Sequence, residues 1–350
     1  MNQPLLPPIF HVQPVSAALD EQIQSVIDNK TKPLGSLGKL EALAAQLARI
    51  QQNLSPRADE VMHLVFAADH GVCDEGVSPF PQEVTAQMVL NFLRGGAAIN
   101  VFCRHNRVGL KVIDAGVAAP LPSHPDLISV PVRAGTANFT LQPAMTKAEL
   151  MNCLEQGAAM VDTWAADAQI LSLGEMGIGN TTAAAAILAS MMQVQPSEVV
   201  GAGTGASEQM QQHKAAVIAK ALARIPLGPD QPLAVLQQVG GLEIAMMVGA
   251  FLRGASLGKL LLVDGFIATS AWWIAYALQP ALKHYTVFAH QSDEQGHTRA
   301  LQALQVTPLL QLDMRLGEGT GAVAAVPLLR LAAAFFNEMA SFADAGVSNA

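Results

Sequence analysis

Charged and aromatic residues are both scarce in this chain of 350 residues. Charged side chains make up 14% of it and aromatic side chains 5%, whereas 51% of the residues are apolar. Alanine, leucine and valine must therefore fill the interior, which favours close packing between helices. The length allows one large domain or two of ordinary size. With so few charges to cover the surface, we also expect a buried subunit interface.

Runs of lysine or arginine are missing, and the net charge is −8. The chain therefore lacks the basic patches typical of proteins that bind nucleic acid or an anionic membrane surface. Cysteine is rare as well, and Cys73, Cys103 and Cys153 share no metal-ligand spacing. An odd, unpatterned set of cysteines is typical of a reducing compartment, so we predict a cytoplasmic protein.

Long uninterrupted apolar runs are also missing. The first residues lack the basic start and the apolar core of a signal peptide. Charged residues interrupt the apolar region 242–279, and Pro327 and Arg330 interrupt the region 320–336. Neither region supplies the ~20 clean residues that a membrane span needs, so we expect no span.

Strands alternate with helices along the chain. Apolar runs predict five strands, at 61–68, 107–114, 168–173, 259–264 and 285–290. Helical patterns lie between them and hairpin signals do not. This order predicts an α/β fold, with an open, mainly parallel, Rossmann-like sheet that carries helices on both faces. The predicted domains are a large α/β domain, 58–320, and a small helical subdomain from the chain termini, 1–57 and 321–350.

The strand predicted at 168–173 runs into a glycine-rich corner. Its glycines let the backbone approach a ligand closely; they are Gly174, Gly177 and Gly179. Asn180 or Thr181 can cap the helix that follows, whose first N–H groups suit a phosphate or carboxylate. Glu175 lies in the same corner, where a carboxylate could hold a sugar hydroxyl or a developing cation. A plain strand–turn–helix corner would explain the glycines equally well.

Two more glycine-rich corners lie at 201–205 and 317–321. The first contains Gly201-x-Gly203-x-x-Ala206, which matches a dinucleotide-binding pattern, but no acidic residue supports the match ~20 residues later. In the second, Glu318 lies between two glycines. We expect this corner to be near solvent and interpret Glu318 as a functional residue. The alternative is an acid that favours the dipole at a helix start.

Polar residues follow the predicted strands, where ligands bind in parallel sheets. They are Asp69, Asp114, Glu175, Asp264 and Ser292. His290 and His297 are too far apart to form a compact zinc set, so no metal site is expected. A complete Walker A motif and a G-x-S-x-G elbow are both missing.

Seven motifs occur in the order in which a known family carries them, between about residues 16 and 342. They are Thr31-Lys-Pro-Leu-Gly-Ser-Leu-Gly, Ala68-Asp-His-Gly, Gly76-Val-Ser-Pro-Phe-Pro-Gln-Glu-Val-Thr, Gly174-Glu-Met-Gly-Ile-Gly-Asn-Thr-Thr, Val263-Asp-Gly-Phe-Ile, His290-Gln-Ser and Leu316-Gly-Glu-Gly-Thr-Gly-Ala. The chain therefore resembles the nicotinate-nucleotide–dimethylbenzimidazole phosphoribosyltransferase family, which acts in the nucleotide-loop branch of cobalamin synthesis.

The resemblance implies the reaction. The phosphoribosyl group of nicotinate mononucleotide would pass to 5,6-dimethylbenzimidazole or a related base, giving α-ribazole 5′-phosphate and nicotinate. The donor already carries a pyridinium leaving group, so neither a metal nor another cofactor is expected. One nitrogen of the base attacks the ribose, and the proton on its other nitrogen becomes acidic as the new bond forms. A nearby carboxylate can take that proton.

The resemblance also implies site residues and a homodimer. Glu318 matches the general base, and Glu175 would steady an oxocarbenium-like centre or hold ribose hydroxyls. The residues expected to bind the phosphate and ribose are Gly177, Gly179, Asn180, Thr181, Gly203 and Lys214. Those expected to bind the base are Ser78, Phe80, Gln87, Met88, Met176 and Ser292. Some relatives carry smaller or more polar side chains at three of these base positions, so the preferred base stays open.

Two other functions stay open at this point. A nucleotide-binding protein without catalysis would use the same glycine corners but would not need Glu318. A dinucleotide-dependent oxidoreductase would depend on the Gly201-x-Gly203-x-x-Ala206 pattern alone. The mass of a ligand that co-purifies with the protein would separate these functions from the transferase.

Overall fold

A six-stranded parallel sheet forms the centre of the protein, for which the computed structural model describes residues 6–201, 207–224 and 227–348. The strand order is β3-β2-β1-β4-β5-β6. These strands are β1 (Val61–Ala68), β2 (Gly109–Gly116), β3 (Leu127–Ser129), β4 (Ile170–Met176), β5 (Leu260–Val263) and β6 (Thr286–Phe288). Two further short parallel strands pair separately, β7 (His290–Gln291) and β8 (Leu310–Gln311). The predicted α/β fold with a parallel sheet is confirmed.

Thirteen α-helices lie around the sheet within the described residues. They are α1 (Asp20–Asp28), α2 (Lys39–Gln51), α3 (Val84–Leu93), α4 (Ala98–Asn106), α5 (Lys147–Trp164), α6 (Asn180–Met192), α7 (Glu208–Arg224), α8 (Pro232–Val239), α9 (Leu242–Ser256), α10 (Phe266–Leu278), α11 (Gln295–Leu304), α12 (Thr320–Glu338) and α13 (Phe342–Ala345).

Helices cover both faces of the sheet, as predicted. Gly254 of α9 faces the side chains of Leu171 and Leu261. Gly174 lies three residues after Leu171 on β4 and faces the backbone of Glu318, just before α12. Because successive residues of a strand point to opposite faces, α9 and the start of α12 lie on opposite sides of the sheet.

Small residues bring helices close together, as the composition predicts. A Cβ atom on Gly157 of α5 would lie 1.9 Å from the Met246 carbonyl oxygen on α9. A Cβ atom on Gly249 of α9 would lie 2.0 Å from the Leu154 carbonyl oxygen on α5. The backbones of α5 and α9 can approach this closely only because both positions lack a side chain.

The two ends of the chain meet. Helix α2 packs against α12, and Lys30 forms a bridge with Ser341. The Thr31 N–H donates to the Ala340 carbonyl at 3.1 Å, and the Phe342 N–H donates to the Asn29 carbonyl at 2.9 Å. These contacts fit a helical unit formed by the termini, and the domain boundaries at 57/58 and 320/321 stay a prediction.

Helix α12 is long and apolar enough to cross a membrane by length and composition, but 56% of its most apolar window is buried. It packs against α2, α4 and β4 within the protein. Pro327 lies inside it, and Arg330 donates to the carbonyls of Ala58 and Asp59. The helix is therefore built into the core of the fold, and no other helix of the described ranges meets the same criteria.

The segment 117–145, between β2 and α5, contains one strand that the sequence did not reveal. It is β3, which is only three residues long and pairs with the edge of β2. Strands this short carry no detectable alternation, since a period of two needs at least four or five residues to register. The paired strands β7 and β8 were missed for the same reason.

Candidate active site

A pocket of about 260 Å³ lies at the carboxyl ends of β4 and β5. The strand order reverses between β1 and β4, and in open parallel sheets a crevice forms at this point. Most of the predicted site residues line the pocket. They are Ser78, Phe80, Met88, Glu175, Met176, Gly177, Gly179, Asn180, Thr181, Ser292 and Glu318.

Two of the predicted residues that the structure describes do not line the pocket. Gln87 is exposed on α3 and does not line the pocket, because α3 turns its Val84 and Met88 face inward instead. Lys214 is buried on α7 behind the pocket wall. Gly203 lies outside the described residues.

The pocket also contains residues that sequence reasoning did not assign to the site. They are Val84, Ile178, Asp264, Gly265, Phe266, Ile267, Ala268, His290, Glu294, Arg315, Leu316 and Gly317. Asp264 is recognised in the sequence as a polar residue that follows a predicted strand, at the edge where ligands bind, but it is given no role in the site there. Arg315 belongs to no periodic pattern, and only the fold brings this exposed cation to the pocket mouth.

The glycine-rich corner between β4 and α6 faces the pocket. Gly179, with φ +95°, is the N-cap of α6, so the prediction that Asn180 or Thr181 caps this helix is wrong. A φ of +95° favours glycine strongly, so Gly179 takes the cap position and Asn180 becomes the first residue of the helix. The Asn180 side chain donates to the Glu175 carboxylate instead. A Cβ atom on Gly177 would lie 2.3 Å from the Ala68 carbonyl oxygen, so this turn packs directly on the end of β1.

Lys214 approaches the start of α6 from α7. Its ammonium group donates to the Thr181 hydroxyl at 3.1 Å. Burial lowers the pKa of Lys214, and the nearby Glu294 carboxylate opposes that shift. The Ser207 hydroxyl, just before α7, accepts from the Met210 N–H in the first turn of this helix at 3.3 Å.

Four buried carboxyl groups line the pocket, those of Glu175, Asp264, Glu294 and Glu318. The pKa values of Glu175, Asp264 and Glu318 lie above the ordinary values. Burial raises the pKa of Glu175 to about 8, and repulsion from Asp264 adds to the shift. Burial also raises the pKa of Asp264, against the opposing effect of His290. The pKa of Glu318 rises through burial and through repulsion from Asp264. These three groups are therefore more basic than ordinary carboxylates, which makes each a better proton acceptor.

Glu318 lies in a left-handed stretch of backbone. The φ angles of Gly317, Glu318 and Gly319 are +87°, +62° and +83°. The Glu318 carboxylate accepts from the Ile99 N–H at 3.1 Å, in the first turn of α4. Glu318 is only 5% exposed, so the expectation of a corner near solvent is wrong. The carboxylate is drawn inward because the N-terminus of α4 offers an N–H group and a positive dipole.

Apolar side chains also line the pocket and form what we call its apolar wall. Met88, Met176 and Phe266 lie inside, and Phe80 and Leu316 are 44% and 50% exposed at the edge. Such a wall suits a flat apolar ring. Among residues 6–201, 207–224 and 227–348, no group of three His, Cys, Asp or Glu side chains is placed to hold a metal ion.

Comparison with known proteins links this chain to one family. A family model described as "Phosphoribosyltransferase" matches residues 12–347. The nicotinate-nucleotide–dimethylbenzimidazole phosphoribosyltransferase of Photobacterium profundum is 50% identical over 329 residues, which cover 94% of this chain and 96% of that protein. The protein of the same name from Cupriavidus necator is 48% identical over 340 residues, covering 97% and 98%.

Solved structures agree with this result. The crystal structure of CobT from Thermus thermophilus is 45% identical in sequence and superimposes with a TM-score of 0.90. The match covers 98% of this chain and 100% of that chain. Similarity in sequence and in fold thus extends over the whole described structure.

Proposed function

The chain belongs to the nicotinate-nucleotide–dimethylbenzimidazole phosphoribosyltransferase family, and from this premise we propose how its pocket carries out the transfer. It is a pentosyltransferase of cobalamin lower-ligand assembly. The phosphoribosyl group of nicotinate mononucleotide passes to 5,6-dimethylbenzimidazole or a related base, and nicotinate leaves. The observation that carries our assignment of roles is that buried carboxyl groups and apolar side chains line one pocket.

The start of α6 is the proposed site of the 5′-phosphate. Gly177, Gly179, Asn180 and Thr181 line the pocket there, where the first turn of the helix favours an anion. Lys214 reaches the Thr181 hydroxyl and adds positive charge behind the same turn. Gly203 stays a predicted contributor.

Glu318 is the proposed general base. A ring nitrogen of the acceptor attacks C1 of the ribose, and the electron pair of the breaking glycosidic bond leaves with nicotinate. The proton on the second ring nitrogen then passes to the Glu318 carboxylate. Because the pKa of Glu318 is raised, this carboxylate binds the proton more strongly than an ordinary one. Attack opposite the leaving group converts the β-linked donor into an α-linked product.

Glu175 is proposed to stabilise the reacting ribose. Its raised pKa of about 8 favours the protonated form at neutral pH. A donor with a pyridinium ring brings positive charge into the pocket, which favours the carboxylate form. The ionised group then faces positive charge that develops at C1. In its protonated form the same side chain can hold a ribose hydroxyl.

The acceptor is proposed to lie against the apolar wall. Met88 and Met176 can cover the faces of a benzimidazole ring, and Phe80 extends the wall toward the pocket mouth. Ser78 and Ser292 provide hydroxyl groups within the same pocket. Gln87 is not part of this proposal, because its side chain is exposed on α3.

A cytoplasmic homodimer is the proposed assembly. Low charge leaves apolar side chains on the surface, including Val101 on α4 and Leu331 on α12, which are 48% and 55% exposed. These two helices pack against each other. Cys73, Cys103 and Cys153 are free thiols, which supports a reducing compartment.

An assay of nicotinate release tests the proposed function. Purified protein is incubated with nicotinate mononucleotide and a panel of bases, which includes 5,6-dimethylbenzimidazole, unsubstituted benzimidazole and adenine. We expect nicotinate and an α-linked ribotide in equal amounts with at least one benzimidazole. Absence of both products with every base would contradict the assignment.

A further inference from the structure

An unusual polar residue lies in the middle of the central strand. His63 is fully buried in β1, whose other residues are apolar. Ser172 lies directly opposite on β4, and it is fully buried as well. Buried polar groups need hydrogen-bond partners, so each ring nitrogen of His63 must find one within the fold.

The partner is the backbone of Glu318. The His63 Nε2 lies 2.9 Å from the Glu318 carbonyl oxygen, and the His63 Nδ1 lies 2.8 Å from the Ser172 hydroxyl oxygen. A carbonyl only accepts, so Nε2 carries the proton and donates it. Burial lowers the pKa of His63 to about 4, which keeps the ring neutral. The unprotonated Nδ1 then accepts from the Ser172 hydroxyl. Ser172 therefore donates to His63, and His63 donates to the Glu318 carbonyl.

Two glycines make room for this contact. A Cβ atom on Gly174 would lie 2.2 Å from the Glu318 carbonyl oxygen. A Cβ atom on Gly319 would lie 2.0 Å from the His63 ring. The imidazole and the loop therefore meet at a distance that no side chain at either position would allow.

Glu318 is consequently held from two directions. The His63 ring fixes its main chain from the sheet, and the Ile99 N–H fixes its carboxylate from the start of α4. A non-glycine residue with positive φ has a strained backbone, which persists only where its surroundings hold it. His63 supplies one of the hydrogen bonds that hold this conformation.

We propose that His63 is a positioning residue, which with Ser172 orients the Glu318 loop so that the carboxylate meets the acceptor nitrogen. The inference rests on the proposed role of Glu318 as general base. His63 touches neither substrate and exchanges no proton during the reaction. A displacement of a catalytic group by about 1 Å can lower a rate about 10²-fold.

Two amide substitutions of similar size show whether the hydrogen bond to the Glu318 carbonyl matters, or only the volume of the imidazole ring. In His63→Gln the amide nitrogen can occupy the place of Nε2 and still donate to Glu318. In His63→Asn the shorter side chain reaches Ser172 but not the Glu318 carbonyl. We expect kcat with 5,6-dimethylbenzimidazole to fall less than about tenfold in H63Q and about 10- to 100-fold in H63N. The KM for nicotinate mononucleotide should stay within about twofold in both variants.

The double variant H63N/E318Q shows whether His63 acts through Glu318. If it does, kcat of the double variant should lie less than about threefold below that of E318Q alone, because the two substitutions impair the same function. Leu64→Ala is the matched control for stability. Leu64 is the next residue of β1 and points to the opposite face, so this variant should lower Tm without lowering kcat.

Each outcome separates this inference from the proposed function. A fully active E318Q would remove Glu318 as the base and this inference with it. A defective E318Q beside a fully active H63N would overturn the inference alone. Equal losses from H63N in the wild-type and E318Q backgrounds, or a kcat loss in L64A as large as in H63N, would show a general structural role and also overturn it.

Discussion

At the scale of single residues, three of the four buried pocket carboxyl groups are held by groups at the start of a helix. Glu318 accepts from Ile99 in α4, Asp264 accepts from the Ala322 N–H in α12, and Glu175 is held by the Asn180 side chain in α6. Backbone N–H groups and helix dipoles favour the ionised form of a carboxyl group. Burial works against them and prevails, since all three groups have a raised pKa.

The substitution Glu318→Gln tests the general base. The Gln carbonyl can still accept from the Ile99 N–H, so the fold should survive, but the amide cannot take a proton. General-base catalysis contributes about 10²–10⁴-fold, and kcat with 5,6-dimethylbenzimidazole should fall by that factor. Circular dichroism and Tm provide the control for folding, and a kcat within about threefold of wild type would contradict the assignment.

The choice of acceptor sharpens this test. A benzimidazole must lose its second N–H proton during attack, whereas a pyridine-like acceptor has none to lose. The defect of E318Q should therefore be large with the first and much smaller with the second. Equal defects would show that Glu318 acts through its charge on the ribose, and Glu175 would become the candidate base.

The raised pKa of Glu175 predicts a pH-dependent stability. Its carboxyl group keeps a proton in the folded protein up to about pH 8, whereas in the unfolded chain it loses that proton near pH 4.5. The unfolded state therefore binds fewer protons between these values, and this group makes stability fall as pH rises from about 4.5 to 8. Glu175→Gln removes the effect, so its Tm should exceed that of wild type by about 2 °C or more at pH 8.5.

Thermal unfolding of both proteins at pH 5 and pH 8.5 measures this effect. The advantage of E175Q should shrink toward pH 5, where Glu175 is protonated in wild type as well. Glu155→Gln, an exposed substitution on α5, is the control and should leave the Tm difference between the two pH values unchanged. A Tm advantage of E175Q that does not grow with pH would refute the explanation.

At the scale of elements, we propose that α6 and α7 together form the phosphate site. Lys214 lies behind the pocket wall and reaches it through Thr181, so we expect it to act on the phosphate at short range. A hydrogen bond to a charged group contributes about 1.5–3 kcal/mol. Lys214→Ala should therefore raise the KM for nicotinate mononucleotide about 10- to 100-fold with a smaller change in kcat.

The exposed Lys220 on the same helix provides the control. Lys220→Ala should leave the KM for the donor within about twofold of wild type. Nicotinate riboside, which lacks the phosphate, should be a poor donor for wild type and should not distinguish K214A from it. An unchanged KM in K214A would remove Lys214 from the proposed site.

The sequence predicts the strands better than it predicts the contacts between elements that are distant in the chain. The apolar runs that lead into Asp69, Glu175 and Asp264 predict β1, β4 and β5, because buried parallel strands are continuous apolar segments. The direction of the Glu318 carboxylate depends on α4, which lies far earlier in the chain. No local pattern in the sequence indicates such a contact. The contact of His63 with Glu318 is equally hidden, because in the sequence His63 is a single histidine within an apolar strand.

At the scale of the whole molecule, we predict a homodimer in dilute buffer. Exposed apolar side chains on α4 and α12 and the low proportion of charged residues motivate this prediction. Light scattering during size-exclusion chromatography measures the mass directly, and the single chain has a mass of 36.7 kDa. A stable monomer that is fully active at assay concentration would contradict it.

The contact between the two ends of the chain has a consequence for synthesis. Helix α2 emerges from the ribosome early, but the partner that covers its apolar face, α12, begins only at Thr320. At about 5–20 residues per second this interval lasts on the order of tens of seconds. During that time the buried face of α2, with Leu43 and Leu47, has no native cover from α12. Chaperones that bind nascent apolar segments would therefore meet this protein first at its N-terminal helices.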